Sequence, residues 1–229
     1  VPQGFGGLMR ALSKIMPGST GYMNRRFLLR QLSYGIGRPV AEQSVHWMSA
    51  VPGPMQERLW RDGKAAKLRV DSNPELSVLE QCQRHFIESY LAGDILQKMD
   101  RASMHVSLEV RSPFLANAVS EFALSLPVEA SFQGMTGKRI LRSVAANYLS
   151  DETVNRRKHG FALPVADLLR GDLRELAESV LLDVANPMYE YVRRNVVRET
   201  WQQHVERRQD HGKSLWTLLW LAAFFRNQF

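Results

Sequence analysis

The chain has 229 residues, 45% hydrophobic and 23% charged, a globular balance that excludes general disorder. A net charge of +7 invites nucleic acid, but the basic residues are scattered as Arg25-Arg26, Arg156-Arg157-Lys158, Arg193-Arg194 and Arg207-Arg208. Short pairs of this kind read as solvated faces and helix ends, which argues against a phosphate track.

In chain order the pattern is helical almost throughout. Leu8, Leu12 and Ile15 lie on one stripe, which Pro17-Gly18 ends, and Leu28, Leu29 and Leu32 form the next. Signals weaken from Ala41 to Pro74, where Pro52-Gly53-Pro54 and Asp62-Gly63 mark turns. A long helix is predicted from about Pro74 to Tyr90, with Gly93 as an interruption. Cys82 falls in this helix; as the single cysteine it excludes a disulfide and a thiolate metal cluster, and a buried inert thiol is expected. Asp94 can cap the following helix, whose face is Ile95, Met99, Ala102 and Val106 and which Pro113 closes.

Beyond Pro113, Val119, Phe122, Ala123 and Leu126 suggest a short helix. Thr136 can cap another, carrying Ile140, Leu141, Val144 and Tyr148. Further helices are predicted at 164–170, 173–184, 192–207 and 214–226, with Pro164 in a first turn and Gly171 as a stop. The aromatic tail, Trp216, Trp220, Phe224 and Phe225, reads as core. Alternating strand patterns are scarce, so the fold class is all-α, an irregular multi-helix bundle with at most a trace of β-structure. No repeat or linker divides the sequence, and residues 1–229 read as one helical domain.

Several motifs fail on inspection. Gly134-Met135-Thr136-Gly137-Lys138-Arg139 is no phosphate loop, because Phe132 and Arg139 stand where that loop needs Gly and Ser or Thr. Gly4-Phe5-Gly6-Gly7 has no strand before it. The six histidines show no metal-ligand spacing, and His46 beside Trp47 reads as a packing residue. The apolar stretch Leu215 to Phe225 is shorter than the roughly 20 residues a bilayer requires. Nothing at the start has the form of a signal peptide, so a cytoplasmic protein with no membrane association is expected. A start at Val1 rather than Met is expected of a fragment or a processed chain.

One stretch differs in kind: Asp94-Ile95-Leu96-Gln97-Lys98-Met99-Asp100-Arg101-Ala102-Ser103-Met104, followed by Glu109-Val110-Arg111-Ser112-Pro113-Phe114-Leu115. It closely resembles the signature of glutamine-hydrolysing asparagine synthetases. Three more blocks occur in that family's order. They are Phe122-Ala123-Leu124-Ser125-Leu126-Pro127, Gly137-Lys138-Arg139-Ile140-Leu141-Arg142, and Arg156-Arg157-Lys158-His159-Gly160-Phe161-Ala162-Leu163-Pro164. The tail, with Trp201, His204, Asp210-His211 and Leu215-Trp216, is also similar. The resemblance is strong over 76–229 and loose over 1–75. It implies the C-terminal helical part of an adenine-nucleotide α-hydrolase-like synthetase domain.

The resemblance also implies a chemistry. ATP, with Mg2+ in the intact enzyme, activates a small-molecule carboxylate such as that of aspartate as an acyl-adenylate, which ammonia from glutamine then amidates. Glu109 matches the family's site glutamate, a base or ammonium acceptor, and Lys158 its site lysine, a cation for phosphate oxygens or a developing oxyanion. Both should reach one concave surface. The bland alternatives are an ion pair of Glu109 with Arg111 or Arg101, and a solvated loop charge for Lys158. Asp100 and Arg101 read as a structural pair, and Arg111, Lys138 and Arg142 as supporting charge.

The family's Ser-Gly-Gly-x-Asp-Ser nucleotide loop and its glutaminase domain do not occur in these residues, and Ala116 stands where the family has Asp after Pro-Phe-Leu. The implied partners are therefore the N-terminal glutaminase domain and the ATP-loop segment of an intact chain. By itself the chain is expected neither to turn over nor to hold ATP tightly, and no cofactor-binding or metal-ligating residue is assigned within it. The alternative class is a helical binding or scaffold module, or a degenerate relative acting on another carboxylate.

Overall fold

The computed structural model describes residues 5–15, 25–63, 73, 75–134, 136–156 and 163–228. Four helices open the chain: α1 (Phe5–Ile15), α2 (Arg25–Gly35), α3 (Val40–Met48) and α4 (Gly53–Leu59). Next come α5 (Val78–His85), a π-helical stretch Phe86–Leu96, and α6 (Gln97–Met104). A 3-10 turn Pro113–Leu115, α7 (Asn117–Ser125) and α8 (Val128–Ser131) precede a small hairpin, β1 (Phe132–Gln133) and β2 (Thr136–Gly137). Then follow α9 (Arg139–Ala145), α10 (Asp151–Asn155), α11 (Val165–Arg170), α12 (Arg174–Leu181), a 3-10 turn Pro187–Glu190, α13 (Arg194–Val205) and α14 (Gly212–Gln228). The fold is helical, with two-residue strands paired in the register Phe132↔Gly137 and Gln133↔Thr136.

Local chemistry explains most boundaries. Ser77 starts α5 with a capping box: its hydroxyl accepts from the Glu80 amide while the Glu80 carboxylate accepts from the Ser77 amide. Ser150 caps α10 through the Thr153 amide, and Gly171 ends α11. Two predicted boundaries differ. Asp94 does not cap a helix, because the backbone stays helical through Gly93; its carboxylate instead meets Lys98 Nζ at 3.0 Å, one turn on. Thr136 does not cap α9 either, because the turn at Gly134 (φ 58°) draws it into the hairpin. Lys138, in the left-handed conformation at φ 59°, takes the N-cap position.

The chain divides into two compact units, one of residues 1–92 with 163–229 and one of residues 93–162. The first has a dense core: Leu59 of α4, Leu169 of α11, Ala177 and Leu181 of α12, Val196, Val197 and Trp201 of α13, and Leu215, Leu218 and Ala222 of α14. Each such side chain contributes about 1.5–3 kcal/mol on burial, less for alanine. Met188 and Val192, between α12 and α13, complete it. In α14 the sequence reading holds in part, since Trp216 and Phe225 pack against this core whereas Trp220 and Phe224 are exposed.

Elsewhere in this unit polar contacts do the joining. Gln31 of α2 is buried and its amide donates to the carbonyls of His46, Trp47 and Ser49 at 2.9–3.1 Å, closing the end of α3. Leu8 and Leu12 of α1, and Leu28 and Leu32 of α2, are exposed, so these apolar stripes do not face that helical contact. The glycines there have a packing role: a Cβ on Gly6 would lie 2.9 Å from the Ser33 carbonyl oxygen. Cys82 is half-buried rather than buried, on the surface of α5.

The second unit is different. Among the described residues of 93–162 none is buried, although many are large and apolar. Arg142 braces it by donating from Nε to the Gly137 carbonyl at 3.2 Å and from Nη1 to the Val154 carbonyl, which ties α9 to the hairpin and to α10.

Candidate functional site

The signature stretch folds as a helix followed by a strap without regular structure. Helix α6 ends at Met104, the backbone turns through Ser107 at φ 57°, and residues 108–112 run without helical or sheet structure to Pro113. Proline favours an extended residue before it, and Ser112 has φ −111°, ψ 93°. Glu109 sits in the middle of this strap.

Glu109 meets Arg111, two residues on along this strap. Glu109 Oε1 accepts from Arg111 Nε and Nη2, each at 2.7 Å. The ion pair anticipated in the sequence is thus made with Arg111. Its side chains are 71% and 85% exposed, so the pair holds Glu109 by no more than about 1 kcal/mol. The carboxylate is presented to solvent and can exchange its partner at little cost.

Lys158 lies outside the described residues, as do Arg157 and 159–162, so no geometry relates it to Glu109. Asp100 and Arg101 form no ion pair with each other among the described residues; adjacent residues on a helix diverge, and Lys98–Asp94 is the pair formed there. Gln97, Lys98, Arg101, Ala102 and His105 line an open groove of about 540 Å³ along α6. Its cationic rim could attract anions, but it is a shallow surface feature.

No group of three or more His, Cys, Asp or Glu that could hold a metal occurs among the described residues. Gly6 and Gly7 are turns of α1 rather than a phosphate-cradling loop.

A buried polar cluster escaped the sequence reading beyond its residues being named in the tail. His204 of α13 is fully buried, and its Nε2 donates to the Ala166 carbonyl of α11 at 3.1 Å. Its Nδ1 accepts from the His211 amide and from Arg170 Nη2, both at 3.2 Å, which makes the ring a neutral Nε2–H tautomer. Burial, then the Arg170 charge, lowers the His204 pKa to about 4. His211 is also lowered to about 4, by burial and then Arg30, and its Nε2 meets Gln203 Oε1 at 2.9 Å. Arg170 Nε donates to the His204 carbonyl at 2.9 Å, which locks α11 to the end of α13. Fully satisfied, this cluster is a structural joint rather than a reactive centre. The only signal for it in the sequence is the clustering of histidines at 204 and 211.

The described residues contain no helix long and apolar enough to cross a membrane. Comparison with known proteins gives a family match across most of the chain, to the asparagine synthase model over residues 10–226. The chain is 26% identical over 188 residues to asparagine synthetase [glutamine-hydrolyzing] 1 of Bacillus subtilis, an alignment covering 72% of this chain and 29% of that protein. It is 33% identical over 149 residues to putative asparagine synthetases [glutamine-hydrolyzing] of Mycobacterium bovis and Mycobacterium tuberculosis, covering 59% of this chain and 21% of theirs. The chain therefore spans less than a third of the length of these relatives. No solved structure matches it. With nearly every residue inside the matched region, this chain belongs to the asparagine synthase family.

Proposed function

We propose that the chain is the C-terminal helical part of the synthetase domain of an ATP-dependent amidotransferase, with ATP and Mg2+ as requirements of the intact enzyme. The reaction class is activation of a carboxylate, aspartate's foremost, as an acyl-adenylate, then amidation by ammonia from glutamine. The observation that carries this reading is the family match over residues 10–226, which contains the signature from Asp94 to Leu115. Glu109 takes the proton that the attacking ammonia must lose. Lys158 sets its ammonium against the negative charge that develops on oxygen. The chain alone is expected to perform neither step, because the family's Ser-Gly-Gly-x-Asp-Ser nucleotide loop does not occur in its sequence.

The test is amide formation by the intact gene product supplied with Mg-ATP, aspartate and glutamine. Glu109→Gln and Lys158→Ala should each lower amide formation on the order of 100-fold or more and leave glutamine hydrolysis intact. Equal loss of both activities would assign the two residues to folding. No amide from aspartate or other small carboxylates would sink the reading.

A further inference from the structure

Helix α11 is already held by apolar burial, since Leu169 is fully buried in the core of its unit. Apolar contact is non-directional and leaves a helix free to slide or turn by a fraction of an ångström, whereas a hydrogen bond fixes a direction. Here the direction is set at Ala166, in the first turn of α11. Its carbonyl accepts from the buried His204 Nε2 at 3.1 Å, and one turn on Arg170 Nε donates to the His204 carbonyl at 2.9 Å, so His204 holds α11 at two points. Gly212, which opens α14, meets the same residue: a Cβ there would lie 3.0 Å from both Cα and Cβ of Ala166 and 3.1 Å from its amide nitrogen. Upstream of Ala166 the backbone is stiff. The ring of Pro164 locks its φ, here −74°, and restricts Leu163 before it, while the Val165 amide donates to the Leu163 carbonyl at 2.8 Å.

Lys158 stands five residues before Leu163 in the sequence. We propose that His204 is a positioning residue for amide synthesis: by holding the Ala166 carbonyl it sets the register of the first turn of α11, and with it the end from which the chain leads back to Lys158. This rests on the function proposed above, in which Lys158 meets developing negative charge. His204 does not reach the reacting atoms, because it is buried and both ring nitrogens are engaged, Nε2 with Ala166 and Nδ1 with the His211 amide and Arg170 Nη2. Joining the helices does not by itself call for an imidazole, since an apolar side chain of similar size would fill the volume without taking polar groups out of water. What the imidazole adds is direction, and misplacing a reacting group by about 1 Å can cost on the order of 100-fold in rate.

The test compares variants of the intact gene product, below their melting temperatures, for amide synthesis from aspartate with Mg-ATP and glutamine and for glutamine hydrolysis. His204→Leu keeps the volume and loses the donor; it should lower kcat of synthesis on the order of 10-fold while KM for aspartate and the hydrolysis rate hold. His204→Gln, whose amide can still donate to the Ala166 carbonyl, should recover most of that loss. Gly212→Ala shifts Ala166 by a few tenths of an ångström and removes no hydrogen-bonding group, and it should lower kcat several-fold in the same selective way. In a Lys158→Ala background neither substitution should lower synthesis further, because the residue they position is gone. Equal loss of synthesis and hydrolysis, no recovery in His204→Gln, or the full loss repeated in the Lys158→Ala background assigns the joint to stability alone and overturns the proposal. Should His204→Leu not fold, Gly212→Ala decides by the same criteria. Synthesis by the unmodified protein with no selective loss in the variants defeats the positioning role alone; no amide from the unmodified protein defeats the function proposed above and this role with it.

Discussion

Ala116 is the N-cap of α7, with φ −59° and ψ 137°, and no side-chain hydrogen bond is made there. Its carbonyl accepts the amides of Val119 and Ser120, but the first-turn amides lack the oxygen that Ser77 and Ser150 supply to α5 and α10. Ala116→Asp should therefore stabilise the helix by about 1 kcal/mol. Thermal melts should show the gain, and Ala116→Asn should reproduce most of it because the acceptor rather than the charge is what is missing. A melt unchanged or lowered by both substitutions would mean that solvent already satisfies those amides. The departure at position 116 was legible in the sequence, and the Glu109–Arg111 pair was one of two pairings, with Arg111 or Arg101, that the sequence left open as the alternative to a catalytic role. The relation of Glu109 to Lys158 spans 49 positions and depends on tertiary placement, which local pattern does not encode.

At the scale of elements, the joint of α11, α13 and α14 makes the clearest statement about pH. His204 and His211 have folded pKa values near 4 against about 6.5 when free, so the unfolded chain binds more protons than the folded one between those values. Their contribution is complete above about pH 6.5, falls as pH drops toward 4, and changes no further below that. Each histidine accounts for up to about 1.4 kcal/mol per pH unit within the window. Urea midpoints measured from pH 8 to 4 should decline through it. His204→Gln should lower stability at pH 8 but shallow the slope, because glutamine does not titrate and its amide can still donate to the Ala166 carbonyl. A slope unaltered by His204→Gln would move the acid sensitivity elsewhere.

The same helices show where reading from sequence succeeds. The stop at Gly171 and the start after Pro164 are local backbone effects and fall where expected. The π-helical stretch 86–96 does not announce itself, since its residues are ordinary helix formers around one glycine. In α1 and α2 the apolar stripes predict a buried face, yet among the described side chains there Leu8, Leu12, Leu28 and Leu32 are exposed while Ser13, Gln31 and Ser33 are buried. What an apolar stripe faces is a tertiary fact, and hydrogen bonds such as those of Gln31 can override it.

For the whole molecule, the division into two units has no mark in composition, and the sequence contains no linker at either boundary. The difference between the units is thermodynamic: one buries Leu169, Leu181, Leu215 and Leu218 almost completely, and the other buries no described residue. All five tryptophans, at 47, 60, 201, 216 and 220, belong to the first unit. Intrinsic fluorescence excited at the indole band is therefore blind to residues 93–162, whereas far-ultraviolet dichroism reports helices in both. The two optical signals should give non-coincident denaturation curves, with ellipticity beginning to fall at lower urea than the indole emission shifts. Superimposable curves would show that the units melt as one. A tryptophan placed at Tyr148, 81% exposed in the silent unit, would make the missing half of the transition visible.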